Sequence, residues 1–303
     1  NALTLDYCSI RLEKVKTGPL YFYQAQTLIF KQHGFNKNPW DNGVQFKSML
    51  LDKDTFPENS GFEATYAFKI NAGTETTGMR AVVERPEYFK VEVNGIPIDP
   101  IPAEWYLDKD FAVYDLAKLV KEGLNSLTLK VKPMRILAEL EPVYLLGNFS
   151  LTNEKKGYSI SPVTEIGTGS WKTSGMPMYS GKVSYSSTFN VDQSTNKKVI
   201  FKAGLWQGVV AELRVNDQSA GIVLNSGEEK EISGWIKPGE NKIEFVVCGS
   251  LRNLLGPHHD SNVTGSTWPS MFWKSPHEGQ PAGENYFTLD YGLMEPFEIN
   301  VIE

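Results

Sequence analysis

Lys121 to Val131 reads KEGLNSLTLKV, and Lys237 to Val247 reads KPGENKIEFVV. The two stretches share a K-x-G-x-N phrase followed by alternating apolar residues, which is typical of a turn that leads into a strand with one buried face. A second pair of phrases precedes them, because VEVNG at Val91 to Gly95 matches LRVND at Leu213 to Asp217. Asn-Gly and Asn-Asp tolerate positive φ, so both phrases predict hairpin turns.

The repeated phrases recur at nearly constant spacing. Asn94 and Asn216 lie 122 positions apart, and Asn125 and Asn241 lie 116 positions apart. These spacings are close to the length of one β-sandwich. They therefore predict two related domains in place of one large barrel.

The boundary between the two domains is expected in LTNEKKGYSIS, from Leu151 to Ser161. This stretch is polar and interrupts the alternation of apolar residues. We therefore predict a first β-sandwich over residues 1–155 and a second over residues 156–303.

Short alternating segments fill most of the chain and favour β-branched and aromatic residues. They are Phe62 to Ile70, Phe89 to Val93, Leu127 to Val131, Val183 to Val191, Val199 to Ala203, Glu212 to Val215 and Lys242 to Val247. Helical patterns are few and brief: one over Phe22 to His33 that ends at Gly34, and one over Asp115 to Glu122 that ends at Gly123. The pattern predicts an all-β chain.

Composition excludes several classes of function. The chain has 303 residues with 30 Lys plus Arg against 36 Asp plus Glu, a formal charge of −6, which argues against a nucleic-acid partner. No apolar run approaches the ~20 residues that a membrane-spanning helix needs. Cys8 and Cys248 are the only cysteines and are expected to be small buried hydrophobic residues, not a disulfide.

The longest aperiodic stretch runs from Arg252 to Glu284 and is rich in aromatic residues. Loops of this length are commonly functional or disordered, and the aromatic content argues against disorder. Aromatic side chains can form a platform for a sugar ring while neighbouring polar groups bind its hydroxyls. The candidates are Trp268, Phe272 and Trp273 for the platform, and His258, His259, Asp260 and Asn262 for the hydroxyls. The alternative is that the rings pack this segment onto its own sandwich or onto a neighbouring domain.

A metal site is a separate hypothesis for the same stretch. His258, His259 and His277 lie near Asp260 in sequence, but neither H-x-x-x-H nor H-E-x-x-H spacing is present, which argues against zinc. Structural calcium stays open, because oxygen ligands outside an EF-hand leave almost no trace in a sequence.

Carboxylates are numerous, but no spacing singles out a catalytic pair. A glycosidase needs two carboxyl groups roughly 5 to 9 Å apart on a rigid cleft, one of them with a raised pKa. Glu104 and Asp108 are close in sequence, and Glu139 and Glu141 alternate. We interpret all four as solvated surface residues.

The order strand, Asn turn, strand, short capped element, G-x-N and closing strand resembles the galactose-binding-like jelly roll known as the sugar-binding domain of glycoside hydrolase family 2. Both halves show it. The resemblance implies two tandem jelly-roll β-sandwich domains. In such a domain, Trp105 and Tyr106 would lie in a loop at one end of the sheets and form a second candidate carbohydrate-binding surface; core packing is their alternative role.

Longer phrases resemble the carboxy-terminal region of large bacterial glycoside hydrolases, including those similar to family 106 α-L-rhamnosidases. They are LTLDYCSIRL from Leu3, LEPVYLLGNFSL from Leu140, GSWKTSGMPMYSGKVSY from Gly169, SLRNLLGPHH from Ser250 and LDYGLMEP from Leu289. In these enzymes a catalytic barrel precedes the β-sandwich modules.

The resemblance implies a non-catalytic accessory region of a glycoside hydrolase with a structural or weak carbohydrate-binding role. The implied partners are carbohydrate and an upstream catalytic domain of the same polypeptide, and the implied location is the periplasm or the bacterial cell surface. Two alternatives stay open: a stand-alone carbohydrate-binding module, and a small glycosidase with a site between the domains.

Overall fold

The computed structural model describes residues 1–303 except 14, 42–43, 193–197, 263–267, 275, 277 and 303. The chain divides into two compact units. Unit 1 comprises Asn1–Val163 and Leu255–Phe287, and unit 2 comprises Thr164–Leu254 and Thr288–Glu303. The predicted boundary at residue 155 made each domain one continuous stretch, whereas each unit is formed by two stretches.

Unit 1 is built from two sheets. Its strands are β1 (Ala2–Leu5), β2 (Tyr7–Arg11), β3 (Lys16–Tyr21), β4 (Phe62–Ile70), β5 (Arg80–Glu84), β6 (Lys90–Val93), β7 (Ile96–Ile98), β8 (Trp105–Tyr106), β9 (Asp108–Asp115), β10 (Gly123–Val131), β11 (Val143–Leu146), β12 (Ser150–Asn153) and β13 (Tyr158–Ser161). One sheet has the order β1-β11-β5-β9-β8, and the other has the order β12-β13-β4-β10-β6-β7 with β2 paired to β4 and β3 paired to β2. Residues along β4 and β10 alternate between buried and more exposed positions, as a strand with one face on a core requires.

Unit 2 is a smaller sandwich. Its strands are β14 (Lys182–Val191), β15 (Lys198–Lys202), β16 (Trp206–Gln207), β17 (Val210–Val215), β18 (Gln218–Val223), β19 (Glu229–Glu231), β20 (Gly239–Cys248), β21 (Gly292–Leu293) and β22 (Glu298–Ile302). They form sheets in the orders β14-β20-β17-β18, β19-β15-β22 and β16-β21. Phe201 of β15 packs on Phe245 of β20 with ring centroids 5.6 Å apart, so side chains from the two larger sheets share one core.

Helices are few and short. They are α1 (Phe22–Gln32), α2 (Arg252–Leu255) and single 3-10 turns at Pro39–Asp41, Lys47–Met49, Leu51–Lys53, Pro86–Tyr88, Ser233–Trp235, Pro269–Trp273 and Gly283–Asn285. None of the helices in the described part of the chain is long and apolar enough to cross a membrane. The predicted all-β sandwich fold with few short helices is confirmed, and every predicted strand overlaps an observed one. Three of the observed strands, β10, β17 and β20, begin two to four residues before the predicted start.

One of the two predicted helices is confirmed. α1 buries Phe22, Ala25, Ile29 and Phe30, which lie on one face. The other prediction is wrong, because Asp115 ends β9 and the residues after it form turns. The Asp115 carboxylate accepts a hydrogen bond from the Ala117 amide at 3.0 Å, so this Asp, which was expected to cap a helix, closes an Asx turn.

The Asn of the K-x-G-x-N phrase organises the start of β10 in unit 1. Asn125 is 3% exposed, and its Oδ1 accepts from the Lys121 amide at 2.9 Å while its Nδ2 donates to the carbonyls of Lys121 and Gly123 at 2.6 and 3.1 Å. Its Oδ1 also accepts from Nδ2 of Asn94 at 2.9 Å. Asn94 has a φ of 51° and accepts from the Ser126 amide at 3.0 Å.

Unit 2 repeats this network bond for bond. Asn241 is fully buried, accepts from the Lys237 amide at 2.9 Å, and donates to the carbonyls of Lys237 and Gly239 at 2.8 and 3.0 Å. Asn216, with a φ of 49°, donates to Oδ1 of Asn241 at 2.8 Å and accepts from the Lys242 amide at 3.1 Å. The two sequence repeats are therefore one structural device used once in each unit.

Replacing Asn241 with Ala is expected to lower the free energy of unfolding by about 3 kcal/mol, because the buried Asn241 side chain makes three hydrogen bonds to backbone groups of Lys237 and Gly239 that the variant loses. Urea unfolding followed by circular dichroism measures the loss. Asn300→Ala, at an exposed position of β22, is the matched control and should change stability by less than about 0.5 kcal/mol. Equal effects of the two variants would contradict a special role for the network.

Candidate functional site

An aromatic patch, defined as Tyr23, Trp268 and Trp273, lies on unit 1. Trp268 is 65% exposed and Trp273 is 49% exposed, at the two ends of the 3-10 turn Pro269–Trp273. The Trp273 ring lies 6.2 Å from the Tyr23 ring, with an interplanar angle of 32°. Two sequence candidates are thus held on one turn with large parts of their rings open to solvent.

The turn that carries Trp268 and Trp273 packs against α1. Phe272 packs edge-on against Phe22 of α1, with ring centroids 5.9 Å apart. The Tyr23 hydroxyl donates to the Asp41 carboxylate at 2.7 Å, and burial together with Asp41 raises the pKa of Tyr23. The three aromatic candidates therefore have two different roles. Phe272 packs inward, as the alternative hypothesis expected, whereas the rings of Trp268 and Trp273 are open to solvent.

The structure places His259 in the interior, not at the surface. Its side chain is 2% exposed, and its Nε2 lies 2.8 Å from Oδ2 of Asp6, whose side chain is 3% exposed. The Tyr286 hydroxyl donates to the other oxygen of Asp6 at 2.9 Å. The His259 ring also packs edge-on against the rings of Tyr7 and Tyr21, with centroids 5.8 and 5.1 Å away. These contacts join the segment Leu255–Phe287 to the start of the chain.

His258 and Asp260 are also held by protein groups. His258 is 3% exposed, and its ring lies 5.9 Å from that of Tyr286. The Asp260 carboxylate accepts from Nζ of Lys274 at 2.7 Å and from the Asn262 amide at 3.1 Å, and the hydrogen bond from Lys274 holds the pKa of Asp260 below its usual value. A sugar could reach these groups only after a rearrangement of the segment.

Trp105 and Tyr106 form β8, at the edge of the five-stranded sheet. Trp105 is 52% exposed. β1, which leads directly to Asp6, forms the opposite edge, roughly 19 Å away because neighbouring strands are about 4.8 Å apart. The structure therefore does not bring this pair together with His259 and Asp6.

The metal hypothesis finds no ligand set among the described residues. Within that part of the chain, no group of three or more His, Cys, Asp or Glu side chains could hold a metal ion. His277, one of the three histidines considered, lies outside the described residues. Structural calcium coordinated by other oxygen atoms stays a prediction.

A cluster of carboxyl groups is the feature that the sequence interpretation missed. Burial raises the pKa of Glu139 to about 7, and it raises those of Glu141 and Glu84 as well. Nη1 of Arg85 lies 3.9 Å from Oε1 of Glu139 and opposes the rise. The Glu139 side chain is only 22% exposed and Glu141 is also partly buried, so the interpretation of this pair as solvated surface residues is wrong.

The sequence did contain a signal for this cluster. Glu139 and Glu141 interrupt the apolar run ILAELEPVYLL, and the apolar residues Ile136, Ala138 and Leu140 around them are all buried. A carboxyl group with a pKa near neutrality can act as a general acid. Glu104 of the other sequence pair behaves differently, since it forms an ion pair with Arg80 near the surface.

In comparisons with known proteins, this chain is similar to portions of proteins named as glycosidases. No family model matches the chain. Over 200 residues, 59% of this chain, the sequence is 24% identical to a protein named "Putative beta-glucuronidase" from Formosa agariphila, 17% of whose length it covers. Among solved structures, the rhamnosidase from Novosphingobium sp. PP1Y matches 82% of this chain and 23% of its own, with 14% identity and a TM-score of 0.32. The beta-D-mannosidase from Dictyoglomus thermophilum matches 82% and 31%, with 10% identity and a TM-score of 0.31.

This chain therefore spans less than a third of each of these proteins. All three are glycosidases by name, and the sequence similarity is to a portion of such a protein.

His259→Ala is expected to lower the free energy of unfolding by about 3 to 5 kcal/mol, because it leaves the buried Asp6 carboxylate without one partner. Tyr286→Phe removes only a hydroxyl from the same carboxylate and should cost about 1 to 2 kcal/mol. Urea unfolding measures both. A His259→Ala variant as stable as the wild type would show that the pair does not hold the segment.

Glu139 should make the protein less stable as pH rises. Its pKa is about 7 in the folded state against 4.5 ordinarily, so the folded state holds the proton more tightly, and stability falls by up to about 3 kcal/mol between pH 4.5 and 7. Urea unfolding at pH 5 and pH 8 should show a smaller fall for Glu139→Gln than for the wild type. Glu122→Gln, at an exposed position, is the control and should retain the wild-type dependence.

Proposed function

We propose that this chain is a non-catalytic accessory portion of a bacterial glycoside hydrolase similar to the family 106 α-L-rhamnosidase-like proteins, with a structural and weak carbohydrate-binding role. The observation that carries the proposal is the aromatic patch, since Trp268 and Trp273 expose 65% and 49% of their surface on a turn fixed by Phe272. The similarity to a portion of a glycosidase supports the class of ligand.

The aromatic patch suits the apolar face of a sugar ring. An indole offers a flat, rigid surface that loses little conformational entropy when it stacks on C–H groups. Tyr23 is held by Asp41 beside Trp273, so this part of the patch is set before a ligand arrives. Such a site would bind a neutral glycan mainly by stacking of the sugar on the two indole rings.

The proposal includes partners and a location. Carbohydrate is the ligand, and a catalytic domain upstream in the same polypeptide performs the hydrolysis. The site of action is then the periplasm or the cell surface, where polysaccharides are met. Trp105, half exposed on β8 with Tyr106 beside it, is a second carbohydrate-binding surface under the same proposal.

Trp268→Ala and Trp273→Ala should each weaken glycan binding by more than about 1 kcal/mol, as loss of an aromatic anchor does. Retardation in affinity gels that contain plant and host polysaccharides measures the effect. Phe46→Ala removes another exposed ring of unit 1, 57% exposed, and should leave retardation unchanged. If the Trp variants lose thermal stability and no polysaccharide retards the wild type, the role is structural alone. If the wild type binds glycan strongly enough to act without a neighbouring domain, it is a stand-alone carbohydrate-binding module.

A second candidate function is a small glycosidase, favoured by the raised pKa of Glu139. The accessory role predicts no turnover of a panel of aryl glycosides and polysaccharides by this chain. Hydrolysis that Glu139→Gln or Glu141→Gln abolishes would instead establish the enzyme and end the accessory proposal.

A further inference from the structure

A cavity of about 430 Å³ with three lysines among its lining residues lies within unit 1. We call it the basic cavity and define it by Lys69, Lys155, Lys156, Ala67, Tyr158 and Gln280. We propose that the basic cavity binds an anionic sugar residue that carries a carboxylate or sulfate group. This inference rests on the proposed carbohydrate-binding function and names a ligand class for a site separate from the aromatic patch.

The interior of the basic cavity fits the body of a sugar. Ala67 and Leu124, which is 74% exposed, supply open apolar surface, and Tyr158 supplies aromatic surface. Leu3, Leu5, Phe68 and Tyr286 also line the cavity but are nearly fully buried. Pockets for small ligands usually have volumes of about 300 to 1,000 Å³ and combine apolar walls with a few polar groups. The basic cavity has this size and this mixture.

The charged residues that line the basic cavity have a net charge opposite to that of the whole chain. The Lys69 ammonium lies 2.9 Å from the Glu154 carboxylate, so these two charges compensate each other. Lys155 and Lys156 are exposed and add two positive charges, whereas the chain has a formal charge of −6. Two ammonium groups beside an apolar cavity favour an anion over a neutral ligand of the same shape.

The turn that carries the two lysines is held in place. Its Gly157 amide donates to the Pro281 carbonyl at 2.7 Å, and the Gly283 amide donates to the Glu154 carbonyl at 3.1 Å. The Tyr158 hydroxyl donates to the Gly283 carbonyl at 2.6 Å. A ligand that binds here does not have to order the backbone of this turn, which lowers the entropic cost of binding.

The chemistry of the site does not separate a uronic acid from a sulfated sugar. Both present a compact anion on a pyranose ring. Isothermal titration with a galacturonic acid tetramer, a sulfated galactose tetramer and the neutral galactose tetramer separates the two sources and tests the need for charge.

We expect the full chain to bind at least one anionic tetramer about tenfold or more tightly than the neutral tetramer, with an affinity that falls as salt rises. Lys155→Gln combined with Lys156→Gln should remove most of this preference. Lys109→Gln combined with Lys118→Gln makes the same change in net charge at exposed positions outside the cavity and should retain it.

A steric variant tests the cavity independently of charge. Ala67 lines the cavity, and its exposed position on β4 pairs with Ser126 of β10, so Ala67→Phe keeps every lysine while it fills the space. This variant should abolish binding of the anionic tetramer. Binding that survives Ala67→Phe, or that is unchanged by the double lysine variant, would overturn the basic cavity as the site.

The outcomes for the two proposals are distinguishable. If neutral glycans bind through Trp268 and Trp273 but no anionic tetramer is preferred, the carbohydrate-binding function stands and the basic cavity is refuted. If no glycan of either kind binds, both carbohydrate-binding sites are refuted and only the structural role of the accessory portion stands. If only the anionic tetramers bind and the Trp variants have no effect, the basic cavity stands and the aromatic patch does not carry the function.

Discussion

The buried asparagine at the start of each closing strand is the constraint on which both units depend. Asn125 and Asn241 each satisfy two backbone carbonyls and one backbone amide of the preceding turn, and each accepts a hydrogen bond from a second Asn in a hairpin. An apolar residue would leave those backbone groups without a side-chain partner, and a charged one would carry an uncompensated charge into the core. Asn is the only short side chain that combines two N–H donors with an acceptor oxygen, which this turn uses for two carbonyls and one amide. A Ser or Thr hydroxyl has a single donor and cannot replace it.

The segment Leu255–Phe287 is joined to the other stretch of unit 1, Asn1–Val163, by polar contacts that its sequence does not predict. The Asp6 carboxylate contacts His259 and Tyr286, and the rings of Tyr7 and Tyr21 pack against His259. A carboxylate near the start of the chain therefore orders residues some 250 positions away. One result is the aromatic patch, because the turn that ends at Trp273 then rests on α1. Another is the basic cavity, because Gln280 and Tyr286 complete its wall. The two proposed carbohydrate sites thus depend on the same anchored segment.

The carboxyl cluster contrasts with both surfaces. Partial burial raises the pKa values of Glu84, Glu139 and Glu141, and Arg85 compensates only part of the cost. Buried carboxyl groups of this kind reduce stability near neutral pH, so the rest of unit 1 has to offset them. These three carboxyl groups are the candidates for acid catalysis in unit 1 if the accessory proposal fails.

The sequence by itself determined the all-β fold, the strands and the repeated Asn turns, because alternation of apolar residues and turn chemistry act over short distances. It also indicated Trp268 and Trp273 as candidates, but it left open whether their rings pack inward as that of Phe272 does. Only the tertiary structure decided that His258 and His259 are interior, that Asp115 closes an Asx turn, and that Glu139 is partly desolvated. Burial and ion pairing are set by residues distant in the chain, as with Asp6 and His259, and no local pattern records which distant partner a side chain will meet.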